Sequence, residues 1–158
     1  MYTLKDRVIL GGISGIAGLL MRDLYCFFAR GIGFAKYYCW NISADLFMNG
    51  KEVITFLGTV VGFLADIVFG AILGVTFVYL LKITNSKNII IKGWGFGVVI
   101  WLFLFGILIH SLPGVQTTMP QDAMSNFSAF FGHSIFGITI GILIQTLFAK
   151  FGLLYSGD

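Results

Sequence analysis

Two stretches of this chain arrange the same residue types around an ionisable group: Asp66-Ile-Val-Phe-Gly70-Ala-Ile-Leu-Gly74 and His133-Ser-Ile-Phe-Gly137-Ile-Thr-Ile-Gly141. Each lies in a long apolar run. Residues four apart share one side of a helix, so each stretch sets a titratable side chain and two glycines on one face. An aspartate at the centre of a bilayer costs roughly 2.5–3.5 kcal/mol on an insertion scale. Asp66 and His133 are therefore expected to turn inward, with the two glycine faces packed on each other.

Asp23, late in the first apolar run, and His110, late in the third, complete a candidate polar pocket of two carboxylates and two imidazoles. Such a set suits proton exchange, since histidine titrates near neutrality, or a divalent metal held by carboxylate and imidazole. No HxxxH or ExxH spacing fixes metal ligands on one helix. No catalytic residue is assigned, and an intramembrane enzyme has the least support. A hydrolase wants nucleophile and base within hydrogen-bond reach, and Ser134, next to His133, points elsewhere on a helix. A paired-carboxylate protease would need Asp23 and Asp66 to converge. The bland reading is that each polar group is satisfied by a neighbour, an interhelical hydrogen bond in a membrane being worth about 0.6 kcal/mol.

Composition sets the scaffold for these groups. Of 158 residues, 58% are hydrophobic and 11% charged, against roughly 25% charged in a soluble domain. With a mean hydropathy of +0.94, the chain reads as an integral membrane protein forming a single domain. Its basic residues are scattered along helix flanks, which gives nucleic acid no patch to bind. Four apolar runs, roughly 8–29, 54–81, 93–112 and 127–149, predict an all-α, four-helix transmembrane bundle. No small-residue cleavage site ends the first run, and Arg22-Asp23 interrupts it, so it reads as an uncleaved helix.

An even number of spans puts both termini on one side. That side carries Lys5, Arg7, Lys82, Lys87, Lys92 and Lys150, while the opposite loops carry Arg30, Lys36 and Lys51 beside Asp45, Glu52 and Asp122. Positive charge is retained in the cytoplasm, so both termini are placed inside the plasma membrane. Counted from the helix ends, Asp23 and His133 lie about 10 Å and Asp66 about 18 Å below the outer surface. The ionisable groups thus share the outer half.

Gly58, Gly62, Asp66, Gly70 and Gly74 recur every fourth residue, as do Ala129, His133, Gly137, Gly141 and Gln145. Such GxxxG rows let backbones approach and favour a right-handed crossing near −40°. The shared pattern suggests two parallel helical-hairpin repeats, the first span with the second and the third with the fourth. Arg22 and Asp23 are about 100° apart around a helix, so only Asp23 is expected to face inward, either to serve the pocket or to pair with Arg22 or another helix. The aromatic stretch from Arg30 to Asn41 reads as an interfacial or partly re-entrant cover over the outer mouth. Cys26 and Cys39 lack metal-ligand spacing and read as small buried apolar residues, a bridge requiring that both face an oxidising compartment.

Gly93-x-x-x-Gly97-x-x-x-Trp101-x-x-x-Phe105, then Pro113-Gly114, and Phe136-Gly137-x-x-x-Gly141 make residues 93–141 similar to small bacterial membrane proteins of the YqhR-like kind. The resemblance implies a multipass protein of a bacterial inner membrane and assigns no activity. The leading functional reading is a candidate ion or small-solute binding or transport site in the outer half of the bundle. The alternative is a structural or interaction subunit without chemistry. Its partners would be the lipid bilayer and either further copies of itself or another membrane protein. No cofactor is expected beyond the candidate divalent metal.

Overall fold

The computed structural model describes residues 4–48, 50–108 and 122–153. Helix α1 (Leu4–Gly31) leads to a short helix α2 (Cys39–Asp45) and a 3-10 turn (Gly50–Ile54), and then to α3 (Phe56–Thr84). Helix α4 (Ile89–Trp101) continues as a π-helix (Leu102–Leu108), and α5 is Ala123–Lys150. Four of these segments, Arg7–Gly31, Phe56–Thr84, Ile89–Ile107 and Ala123–Lys150, are long and apolar enough to cross a membrane. Among the described residues there is no strand, and the architecture is an all-α four-helix bundle of a membrane protein.

Local chemistry sets the helix ends. The Thr55 hydroxyl accepts from the Gly58 N–H at 3.1 Å and opens α3, while Asp122 accepts from the Ser125 N–H at 3.0 Å and opens α5. Both satisfy a backbone donor that a helix start leaves unpaired. At the other end of α3, Lys92 Nζ donates to the Thr84 and Asn85 carbonyls at 2.7 and 3.0 Å. Helix α4 starts at Ile89 rather than near 93, because Asn88 turns the chain with φ 54° and Ile89 is already buried in the core. The expected end of the third span, with His110 and Pro113, lies outside the described residues.

Helix α1 occupies the centre, packed along α3 on one side and α5 on the other, and α4 packs along α5. The pairing of the second and fourth spans expected from their matching rows does not form. Gly70 and Gly74 of α3 instead meet Gly15 and Gly11 of α1, and Gly137 and Gly141 of α5 meet Gly93 and Gly97 of α4. At these crossings a methyl group on any of the eight would run into the opposite helix. Each row is used up within a pair of spans adjacent in sequence, whereas α3 and α4, joined by the short 85–88 turn, barely touch. The two hairpins do not form a symmetric pair either. A two-fold axis would make the α1–α5 and α3–α4 contacts alike, yet α3 and α4 meet over only a few residues, through Phe77 and Phe96 with ring centroids 5.4 Å apart.

The end of the bundle beside the 85–88 connection is closed by an apolar cluster including Phe77, Leu81, Ile89, Ile140, Ile144 and Phe148. At the opposite end α2 packs along α3 and reaches Phe105 of the π-helix through Ile42. Its Trp40 carbonyl and Ala44 methyl press against Gly62 of α3, and Ile42 packs with Phe105 and Ala129. Tyr38 stacks on Trp40 at 4.5 Å, and the Arg30 guanidinium lies 4.3 Å from the Tyr38 ring. These amphipathic rings suit a membrane–water boundary. Cys26 and Cys39 form a disulfide with Cα atoms 6.0 Å apart. This corrects the reading of two independent small apolar side chains. Residues 13 apart in sequence are brought together because the chain reverses between α1 and α2.

A methyl group at Gly15 would collide with the Gly70 carbonyl and the Gly74 backbone, whereas at Gly12 the nearest atom, Val75 Cγ2, is 3.9 Å away. Gly15→Ala should therefore lower stability in detergent by about 1–3 kcal/mol. Gly12→Ala should be neutral or raise stability by about 0.5–1 kcal/mol. Denaturation curves for the two variants check this, and the reverse order would refute the crossing.

Candidate functional site

The polar residues that the fold buries are concentrated at the α2 end. Arg22, Asp23, Asn41, Asp45, Asp66, Ser125, Ser128, His133 and Ser134 are all buried there, with Ser14 the exception elsewhere among the described residues. Burying so many polar groups is tolerable only where they satisfy one another. Asp23 lies eight residues before the end of α1, while Asp66 and His133 lie ten residues into α3 and α5. All three are therefore about 12–15 Å from the helix ends on the α2 side. Asp66 is level with His133, because α5 begins at Ala123, before its apolar run, and α3 at Phe56, after its own.

Arg22 is the centre of this layer. Its side chain runs past Gly132 of α5, where a methyl group would sit 3.4 Å from Arg22 Cγ. Its Nη2 donates to Asp66 Oδ2 at 2.7 Å and to Asp23 Oδ1 at 2.8 Å, and its Nε reaches Asp23 Oδ1 at 3.2 Å. The expectation that only Asp23 faces inward is thus corrected: Arg22 is 8% and Asp23 3% exposed. A helix gripped on two sides has a buried arc wide enough for neighbours 100° apart. The second oxygen of Asp66, Oδ1, accepts from the Ser43 hydroxyl of α2. Asp23 Oδ2 is buried and has no hydrogen-bond partner among the described residues.

His133 faces inward at 4% exposure but does not pair with Asp66. Its Nδ1–H donates to the Ala129 carbonyl at 2.9 Å, an acceptor that fixes the tautomer. The other nitrogen, Nε2, is therefore an acceptor and has no partner among the described residues. The ring meets Phe105 edge-on at 5.5 Å and follows Gly132, past which the Arg22 stem runs. Of the four expected site residues, the structure gathers Asp23 and Asp66 around Arg22, sets His133 beside that group, and leaves His110 outside the described residues. Among the described residues no cluster of three or more His, Cys, Asp or Glu side chains could hold a metal.

Side-chain bonds tie the layer to its surroundings. The Tyr25 hydroxyl and Ser128 hydroxyl are 3.1 Å apart, joining α1 to α5, and Trp94 Nε1 donates to Ser134 Oγ at 3.2 Å, joining α4 to α5. Asn41 Nδ2 donates to the Val53 carbonyl at 3.3 Å. Beneath α2 a cavity of about 20 Å³ is lined by Cys26, Cys39, Ile42, Phe105, Ser125 and Ser128 among others. That is room for one water molecule. Sequence reasoning passed over Arg22 as a centre and Ser43 as a ligand of Asp66. The available signal was the alternation Asn41, Ser43, Asp45 inside an otherwise apolar and aromatic stretch.

Variants at Arg22 and Asp122 read the electrostatics. Arg22→Met strands two buried carboxylates and should cost about 3–5 kcal/mol of stability. Adding Asp66→Asn should recover part of that loss, and denaturation of both proteins measures it. An Arg22→Met protein as stable as the wild type would mean the guanidinium is not buried between the carboxylates. At the edge of α5, the Ser125 backbone N–H, its hydroxyl and nearby Lys36, 3.2 Å away, hold the Asp122 carboxyl at about 2, below its ordinary 3.8. A folded-state value below the unfolded one stabilises the fold above pH 3.8, and the contribution is lost as pH falls toward about 2. Thermal melts of wild type and Asp122→Ala should differ near neutrality and converge across that window.

No family model, no curated protein and no solved structure matches the chain.

Proposed function

We propose that the protein is a small multipass protein of a plasma membrane that takes up a proton at Asp23, in the outer half of the bundle, as part of moving an ion or small solute. One observation carries the reading. Two buried carboxylates share a single guanidinium, three of their four oxygens are occupied by Arg22 or Ser43, and Asp23 Oδ2 is buried without a partner among the described residues. With both carboxylates ionised this trio holds a net charge of −1, and an uncompensated charge in a low-dielectric interior is expensive. A proton on one oxygen removes the charge without displacing any bond. A divalent metal would need several free ligands and would sit beside the positive charge of Arg22.

The proposed orientation has both termini in the cytoplasm. The lysine and arginine distribution supports it, and so does the disulfide, which belongs on an oxidising face. The closed apolar end then faces inward and the polar end outward. A bacterial inner membrane and kinship with YqhR-like proteins belong to the same proposal and rest on the packing pattern of residues 93–141. The glycine rows are consumed within the chain, so an assembly with a second copy would use the exposed apolar faces of α3 and α4.

A second reading is favoured by the bonds from Arg22 to Asp66 and from Asp66 to Ser43, which join α1, α3 and α2 as a staple would. Asp23→Asn separates the two. Asparagine keeps an oxygen for Arg22 but carries no titratable proton, so a staple survives it and a proton site does not. pH-dependent infrared difference spectra of the reconstituted protein should show the carbonyl band of about one protonated carboxyl. That band should vanish in Asp23→Asn while the melt is retained. Identical spectra from the two proteins would defeat the proton reading in favour of the staple.

A further inference from the structure

We propose that α2 is a lid over the Asp23–Asp66 site and that the Cys26–Cys39 disulfide is its latch, so that reduction of this bond opens the carboxylates to the outer aqueous phase. The inference rests on the proton reading of that site and names its regulation.

Helix α2 has seven residues, far below the roughly 12–15 that a helix needs to persist alone. It stays in place through what it touches. Ser43 donates to Asp66, Asn41 Nδ2 donates to the Val53 carbonyl, and the backbone at Trp40 presses on Gly62. Both flanks contain a glycine in the left-handed region, Gly33 at φ 78° and Gly50 at φ 63°, where a methyl group would meet nothing within 4 Å. These are open positions at which the chain can pivot. The disulfide is the covalent tie in this set, and it anchors the first residue of α2 to α1.

The polar side of α2 faces the bundle: Asn41 and Asp45 are buried and Ser43 is half-buried. When α2 lifts, Asp66 loses the Ser43 hydroxyl and water can take its place. Cys26 is buried while Cys39 is half-buried, so a soluble thiolate reaches the Cys39 sulfur. With a dithiol reductant, one reductant thiolate attacks Cys39 Sγ, forming a mixed disulfide and releasing the Cys26 thiolate, which takes up a proton. The second thiol of the reductant then displaces Cys39 as thiolate, which is also protonated. Two electrons and two protons pass to the protein, and the reductant leaves as its cyclic disulfide.

The test compares the full chain in lipid nanodiscs when oxidised, when reduced with dithiothreitol, and as the Cys26→Ser, Cys39→Ser double variant. Hydrogen–deuterium exchange follows the 39–45 segment and α5, and a water-soluble carbodiimide with an amine labels accessible carboxyls. Reduction and the double variant should each raise exchange in 39–45 by about tenfold or more. They should raise labelling of Asp66 alongside, with α5 unchanged. Equal exchange in 39–45 for all three samples overturns the latch. So does a parallel rise in α5, which would make the disulfide a support of the whole bundle. Unchanged Asp66 labelling despite faster exchange in 39–45 overturns the lid. The Asp23 infrared band, read on the oxidised sample, tests the proton reading separately, because lid opening does not alter that starting spectrum.

Discussion

The arrangement depends on one guanidinium held away from water. Arg22 cannot give up its charge, and a charged group in an apolar interior is tolerated only with partners in direct contact. Its Nη2 lies 2.7 Å from Asp66 and 2.8 Å from Asp23, which constrains three backbones together. Asp66 must stand on the face of α3 that meets α1, α1 must be buried on two sides, and Gly132 must leave room on α5 for the arginine stem. The close glycine crossing of α1 and α3 one to two turns away serves the same end. It brings the two axes near enough for short side chains to meet the guanidinium. A wider crossing would admit either water or a longer acid.

Hydropathy made the four spans legible, since about 20 apolar residues have few other destinations. The start of α5 was less so: Asp122 and Ser125 are both fair caps before the apolar run near 127, and the helix opens at the earlier one. Pairing was not. A glycine row states that a face is close-packed and carries no label for its partner, so the matching rows of α3 and α5 suggested a contact that each helix makes with a different neighbour. Arg22 was set aside by an argument about angle that holds for a helix with one buried face. Helix α1 has two. The stretch from Arg30 to Asn41 read as an interfacial or partly re-entrant cover, and nothing local said that Asn41 and Ser43 just after its aromatic rings would bond inside the bundle. The disulfide depended on the chain reversing between α1 and α2.

The two hairpins are built alike at the glycine level and diverge one layer further out. Gly15 meets Gly70 and Gly74 in the way that Gly93 meets Gly137 and Gly141. Eight residues beyond Gly15 stands Asp23, and eight beyond Gly93 stands Trp101. Four residues before the paired glycines stand Asp66 and His133. The first hairpin therefore places a carboxylate pair at this level, and the second places an indole and an imidazole. Trp101 Nε1 and His133 Nε2 both lack partners among the described residues. The first hairpin completes its layer with a cation, while the second fills its own with the Phe105 ring.

The π-helix at Leu102–Leu108 lies at this divergent layer. A π-turn inserts a residue and rotates the faces presented by the rest of the helix. Here it coincides with Phe105 turning in to meet His133 and Ile42 of α2. Helices α3 and α4 meet over only a few residues, and a gap between helices in lipid would expose Asp66 to acyl chains. The chain closes it with the polar face of α2 on the Asp66 side and with Phe105 on the His133 side. That division explains the asymmetry of the bundle. The apolar end closes by direct packing of helix on helix, whereas the polar end closes with a separate short element.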